Sequence, residues 1–312
     1  MALAVTFPGQ GSQVVGMGRA LADAFPEARA VFDEVDAALG EKLSAIIWEG
    51  PDDALVLTAN AQPALMAVSI AALRALEASG FDLAGAARCV AGHSLGEYSA
   101  LCAAGSLSLA DTARLLRIRG NAMQAAVPVG KGAMAAIIGL EADAVEAACA
   151  AAGGGVCQIA NDNGGGQIVI SGTKATIEMA CTIASEKGAK RAILLPVSAP
   201  FHSELMQPAA EAMAEALAGV PIAAPVVPVI ANVLARPISD PDDIRRRLVE
   251  QVTGRVRWRE TVEWMAANGV STAIEVGSGK VLTGLARRIA RDIRAVAVGA
   301  PDDIDAALGA IA

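Results

Sequence analysis

The order of apolar runs along this chain predicts an α/β fold. A mostly parallel sheet is covered by helices on both faces and interrupted once by a small βαββαβ insert. Three observations carry that reading. Short β-like runs alternate with long helical stretches through the first part of the chain, as parallel strands joined by helical crossovers require. In the middle the rhythm changes to strand, helix, strand, strand, helix, strand, which is the ferredoxin-like order. Strands separated by helices then resume toward the C-terminus.

Residues 3–7 (LAVTF) form the first strand. Residues 14–39 and 61–79 read as helical, and residues 88–91 are a short apolar strand before Gly92. Helices follow over 95–104 and 109–126. In the insert, 133–140 is a strand and 141–152 a helix stopped by Gly153-Gly154-Gly155. Residues 156–161 and 167–171 are strands joined by a turn at 162–166; a helix over 173–187 and a strand over 192–197 complete the unit. Beyond it, 203–218, 241–251, 257–268 and 280–291 read as helices, and 226–231 and 272–276 as strands. The expected large domain is therefore residues 1–127 plus 199–312, with the insert at 128–198.

The composition supports a substantial core: of 312 residues, 54% are hydrophobic and 19% charged. Much of the apolar share is alanine, which suits helices packed closely on a flat surface. A net charge of -8 disfavours nucleic-acid binding, which needs a basic face. No basic n-region leads into an apolar h-region, so no signal peptide is expected, and no run reaches the length of a membrane span. Cys89, Cys102, Cys149, Cys157 and Cys181 contain no CxxC pair, and their odd number argues against a disulfide framework; the expected compartment is a reducing cytoplasm. Two histidines, neither spaced with the cysteines, leave no expected metal site.

The chemistry centres on Gly92-His93-Ser94-Leu95-Gly96. This G-x-S-x-G run sits between a strand and a helix, where a sharp turn presents a serine as nucleophile and a helix N-terminus supplies N–H donors to a developing oxyanion. Serine needs a base to take its proton. His93 adjoins Ser94, and its side chain is expected to point away from the serine's, so His202 is the candidate base. No acid is obvious for orienting that imidazole: Glu204 lies two residues on and points elsewhere, and a backbone or amide carbonyl could serve instead. Two glycine-rich loops mimic nucleotide motifs and fail. At Phe7-Pro8-Gly9-Gln10-Gly11-Ser12-Gln13, Val14 stands where a dinucleotide fingerprint needs its third glycine. At Gly277-Ser278-Gly279-Lys280, Ile274 and Val281 break the P-loop pattern. Both loops are expected to shape a backbone donor site and a close strand–helix turn.

The motifs FPGQGSQ (7–13), AQPAL (61–65), GHSLGEYSAL (92–101), RG with MQ (119–124), GQIVISG (166–172), PFHS (200–203) and EVGSGKVLTGL (275–285) together resemble the malonyl-CoA:acyl carrier protein transacylase family. They lie in family order and span essentially the whole chain. The resemblance implies an α/β-hydrolase-like core with a ferredoxin-like subdomain. It implies acyl transfer without a bound cofactor, with a coenzyme A thioester as substrate and malonyl-CoA and acyl carrier protein as partners, in fatty-acid synthesis. Ser94 then carries the acyl group, His202 is its base, and the N–H groups of Gln10 and Leu95 form the oxyanion hole. Arg119 would pair with the malonyl carboxylate, although on sequence grounds it is one of three arginines, with Arg114 and Arg117, on one helix. The main-chain carbonyl of Gln251 would orient His202, and Asn161 would line the cleft. Leu95 and Phe201, flanking nucleophile and base, are expected to border the acyl pocket, the ring of Phe201 excluding an α-methyl group. Arg287 and Arg288, clustered with Arg291 and Arg294 in what reads as the last helix, are the candidate carrier-docking residues. The rival readings are a malonate decarboxylase or polyketide malonyl transferase, a serine esterase, and a binding module without catalysis.

Overall fold

The computed structural model describes residues 2–197 and 199–311. Its main sheet has six strands: β1 (Ala2–Phe7), β2 (Ala87–Gly92), then β7 (Val229–Ala231), β8 (Arg236–Ile238), β9 (Val270–Val276) and β10 (Arg294–Val298), in the order β10-β9-β1-β2-β7-β8. All neighbours in it are parallel except β7 and β8. The strand side chains alternate between two cores, as the pleat requires. Leu3, Val5 and Phe7 join the larger core with Val90 and Ile274, while Ala4, Cys89 and Ala91 join a second core around Trp258 and Leu285. The helix Thr58–Ala78 runs through the larger core, and its Ala61, Ala64, Ala67, Ala71 and Ala75 are buried, which lets it lie close to its neighbours.

The remaining strands, β3 (Gly132–Ile138), β4 (Cys157–Asp162), β5 (Gln167–Thr173) and β6 (Arg191–Leu194), make an antiparallel sheet in the order β4-β5-β3-β6. Helices Ala142–Ala152 and Lys174–Glu186 cover it, around a third core that includes Ile137, Val145, Ile170 and Ile177. Residue 198, at the expected end of the insert, lies outside the described residues.

Several sequence expectations need correction. The stretch 14–39 is not one helix: Gly16 and Gly18 take φ of 92° and 73° in turns, and helices Arg19–Ala24 and Pro26–Leu39 are separated at Phe25, because a proline starts a helix rather than continuing one. Residues 203–218 open with a 3-10 turn at Glu204–Met206 before the helix Gln207–Ala218. The strand expected at 226–231 is only Val229–Ala231. The helix expected over 280–291 ends at Ile289, so Arg294 starts β10 instead of sharing a helix with Arg287 and Arg288. A further helix, Ile304–Ile311, follows. β8 escaped notice because it is three residues long with Pro237 at its centre.

Candidate active site

Ser94 stands between β2 and the helix Gly96–Ala103 with φ of 54°, a left-handed conformation that a serine adopts only under tertiary constraint. The glycines explain how the turn can form. A Cβ on Gly92 would lie 1.8 Å from the Gly96 carbonyl oxygen, and one on Gly96 would lie 2.3 Å from that of Phe7. Only bare backbone lets helix, strand and the 7–13 loop meet so closely. His93 N–H donates to Phe7 O at 3.0 Å, fixing that loop against the turn. The His93 ring turns away to Asn163 Oδ1 at 2.9 Å and packs on Trp258.

His202 Nε2 is 2.7 Å from Ser94 Oγ. Its Nδ1 is 2.8 Å from the main-chain oxygen of Gln251 and 3.1 Å from that of Gly254. Carbonyl oxygens only accept, so Nδ1 carries the proton and Nε2 is left to accept from the serine hydroxyl. Gln251 lies in the last turn of the helix Pro241–Thr253, where main-chain carbonyls lack helical partners. The negative end of that helix therefore occupies the position where an acid would stand, and it favours an imidazolium when one forms. Burial, and then the Arg119 charge, push His202 down to about 3, so the imidazole is neutral and ready to take a proton. Glu204 N–H donates to Gln158 Oε1 at 3.0 Å, and Gln158 Nε2 reaches Thr253 O at 3.3 Å, tying the chain after His202 to that helix end.

Arg119 is 1% exposed. Its Nη1 donates to Gln62 Oε1 at 2.7 Å, its Nη2 to Gln251 Oε1 at 2.8 Å and to Ser94 Oγ at 3.3 Å, and its guanidinium lies 5.7 Å from the Tyr98 ring centre. Among the described residues no carboxylate forms an ion pair with it. A buried cation whose hydrogen bonds go to neutral oxygens, with the Glu97 carboxyl acting on it only from beyond ion-pair contact, is incompletely compensated, and an incoming carboxylate beside Ser94 would complete it. The neighbouring arginines pair with carboxylates instead, exposed Arg114 with Asp111 and half-buried Arg117 with Glu41.

The backbone N–H groups of Gln10 and Leu95 make no hydrogen bond to a protein acceptor among the described residues. Gln10 is held on its loop: Ser12 Oγ donates to Gly9 O at 2.7 Å, and Ser278 Oγ to Ser12 O at 2.6 Å, so the two glycine-rich loops lock together. Leu95 precedes the first turn of a helix, where N–H groups lack helical acceptors. Its side chain is 1% exposed within the larger core.

Other expected site residues make no hydrogen bond to Ser94 or His202. Asn161 is buried in β4 and bridged through its backbone to Val256; its side chain makes no hydrogen bond to Ser94, His202 or Arg119. Phe201 is 9% exposed and packs within the larger core. Arg287 and Arg288 are exposed but diverge, Arg287 Nη2 donating to Ala295 O at 3.0 Å and Arg288 Nη2 to Gln167 Oε1 at 3.1 Å.

Asn232 and Glu97 were missed by the sequence reading. Asn232 Oδ1 accepts from Ser94 N–H at 2.8 Å, and its Nδ2 donates to Gly92 O at 2.7 Å. Glu97 Oε2 accepts from Asn232 N–H at 3.0 Å and Gln251 Nε2 at 2.8 Å. Glu97 is inside GHSLGEYSAL, but only its 1% exposure marks it as more than a helix-surface acid. Asn232 follows a short strand with no local signal. Among the described residues no three His, Cys, Asp or Glu side chains are grouped to hold a metal, and no helix is long and apolar enough to cross a membrane.

The family described as acyl transferase domain matches residues 5–300. A malonyl CoA-acyl carrier protein transacylase of Bacillus subtilis is 48% identical over 308 residues, 98% of this chain and 96% of that protein. The crystal structure of an acyl-carrier-protein-S-malonyltransferase from Bartonella henselae superposes with a TM-score of 0.98 at 65% identity, covering 100% of this chain and 99% of that one. A malonyl transacylase solved in complex with a type II polyketide acyl carrier protein superposes with a TM-score of 0.96 at 42% identity, covering 99% and 100%.

Proposed function

The chain belongs to the acyl transferase domain family, and from that premise we propose that it moves a malonyl group from malonyl-CoA to the phosphopantetheine thiol of an acyl carrier protein, through an ester on Ser94. The observation that carries the choice of acyl group is Arg119, a buried guanidinium with no carboxylate in ion-pair contact among the described residues, 3.3 Å from the nucleophile. Its planar fork suits the free carboxylate of malonate.

The proposed mechanism is ping-pong. Ser94 Oγ attacks the thioester carbonyl while its proton passes to His202 Nε2. The N–H groups of Gln10 and Leu95 receive the developing oxyanion. The tetrahedral intermediate collapses, the C–S bond breaks, and the coenzyme A thiolate leaves with the proton from His202. The carrier thiol then gives its proton to His202 and attacks the serine ester, and Ser94 departs as the hydroxyl. A thioester is already activated, so no bound cofactor is required. A helix C-terminus stabilises the imidazolium less than a buried aspartate would, which suits thioester exchange better than amide cleavage. Fatty-acid synthesis is the setting, and a cytoplasmic location fits the five free cysteines.

Incubation with malonyl-CoA followed by intact-mass and peptide mass spectrometry tests the proposal. A malonyl adduct on Ser94 that discharges to a carrier thiol is expected. Turnover to free malonate alone would establish an esterase, and covalent labelling that survives Ser94→Ala would end the assignment of the nucleophile.

A further inference from the structure

We infer that Glu97 is a positioning residue for substrate choice: through the side-chain carboxamide of Gln251 it aims the Arg119 guanidinium at the free carboxylate of the acyl group. The inference rests on the malonyl-transfer reading above. Its starting point is the polarity of one buried amide. Gln251 Nε2 donates to Glu97 Oε2 at 2.8 Å and to Ser94 O at 2.9 Å, with Asn232 Oδ1 at 3.3 Å. All three partners are acceptors, so the nitrogen must face them and Oε1 must face the other way. There it accepts from Arg119 Nη2 at 2.8 Å. Arg119 has only donors, so a reversed amide would set N–H against N–H. Whatever fixes the amide nitrogen therefore also fixes one arm of the guanidinium.

Of the two side-chain acceptors, Glu97 Oε2 at 2.8 Å is much closer than Asn232 Oδ1 at 3.3 Å, and Ser94 O is main chain, so Glu97 is the side chain with most hold on that arrangement. It is 1% exposed, and the same Oε2 also takes the main-chain N–H of Asn232 at 3.0 Å. Without that oxygen two buried donors lose a partner, and the Gln251 amide gains freedom to rotate. The second arm of Arg119, on Gln62 Oε1, does not involve Glu97. The arginine would remain in place but lose its aim. Burial pushes the Glu97 carboxyl up to about 7, yet an unprotonated carboxyl oxygen accepts hydrogen bonds in either charge state. The aim of Arg119 matters only to a substrate that carries a carboxylate. A loss of selectivity, distinct from a loss of catalysis, is the signature.

The test compares kcat/KM for malonyl-CoA and acetyl-CoA in wild type, Glu97→Leu and Glu97→Gln. Leucine keeps most of the volume and removes the acceptor; glutamine keeps an acceptor oxygen. The malonyl-to-acetyl ratio is expected to fall about tenfold in Glu97→Leu, the size of effect that follows loss of one buried hydrogen-bond partner. Glu97→Gln should hold it near the wild-type value. Should Glu97→Leu fail to fold, Glu97→Met, which also fills the space without a hydrogen-bonding oxygen, is read the same way. Equal losses for both thioesters, or a ratio in Glu97→Gln as low as in Glu97→Leu, would overturn the inference. A wild type that forms no malonyl adduct on Ser94 would instead defeat the transfer reading itself.

Discussion

The side-chain oxygen of Asn232 accepts the backbone N–H of Ser94 at 2.8 Å, across 138 positions of sequence. With its amide nitrogen on Gly92 O at 2.7 Å, the same side chain brackets His93 and clamps the nucleophile turn from outside. A serine at φ of 54° needs such a clamp, because local sequence alone would relax it.

Asn232→Ala is accordingly expected to lower kcat about 100-fold, the order of loss for a small displacement of a reacting group. Malonyl and acetyl transfer should fall together, since the nucleophile is common to both. Steady-state kinetics with both thioesters checks this, and a variant within threefold of wild type would show that the turn holds itself.

Arg119→Ala should lose malonyl transfer by roughly 100-fold or more while acetyl transfer is spared or improves relative to it. The measurement is the ratio of kcat/KM values. Equal losses would make Arg119 a purely structural cation.

The depression of His202 to about 3 sets a pH expectation. A base with a lowered pKa stays unprotonated as pH falls, so the acylation rate from malonyl-CoA should remain level through pH 6.5, the ordinary imidazole value. Rapid-quench measurement of adduct formation tests this; a rate that halves near pH 6.5 would mean that the imidazole is far better solvated than its burial implies. Because Arg119 adds to the depression, Arg119→Ala should move the acid limb upward when acetyl-CoA is the donor.

Phe201 precedes His202 and is buried, which is compatible with shaping the acyl pocket and with packing the core. If the ring excludes an α-methyl group, wild type prefers malonyl-CoA over methylmalonyl-CoA by about 10–200-fold, and Phe201→Ser narrows that preference. A ratio that does not move, alongside a lower melting temperature, would assign the ring to packing.

Charge reversal at Arg287 and Arg288 should raise KM for the carrier and leave that for malonyl-CoA unchanged, since acyl carrier proteins are usually acidic and this chain carries a net charge of -8. The two side chains diverge, so single reversals should be unequal. An unchanged carrier KM would move the docking surface elsewhere.

What could be read from the sequence was whatever local geometry dictates. Gly92 and Gly96 around Ser94 announce a turn that no other residues could make, as the 1.8 Å and 2.3 Å approaches at those positions demonstrate. The ferredoxin-like strand order was legible because each element carries its own periodicity and the turns between them are rich in glycine. With two histidines in the chain and His93 next to Ser94, His202 was the one candidate base, and its Nε2 lies 2.7 Å from Ser94 Oγ. β10 was lost because an arginine cluster looked like the continuation of a helix, and nothing local stated that Arg294 would turn into an edge strand.

Tertiary structure decided what the local pattern of the residues could not. Arg114, Arg117 and Arg119 are equivalent in composition and share one helix, yet only Arg119 is driven inward, because Gln62, Gln251 and Tyr98 arrive from three other elements to receive it. The partner of His202 is a helix end rather than a residue type, so only the family resemblance pointed to Gln251, and the fold is what brings its carbonyl to 2.8 Å from Nδ1. Asn232 and Glu97 act on Ser94 and Gln251 across 138 and 154 positions. Hydrogen bonds at such separations exist only after the sheet and helices have packed, because until then the donors and acceptors face water and have no preferred partner.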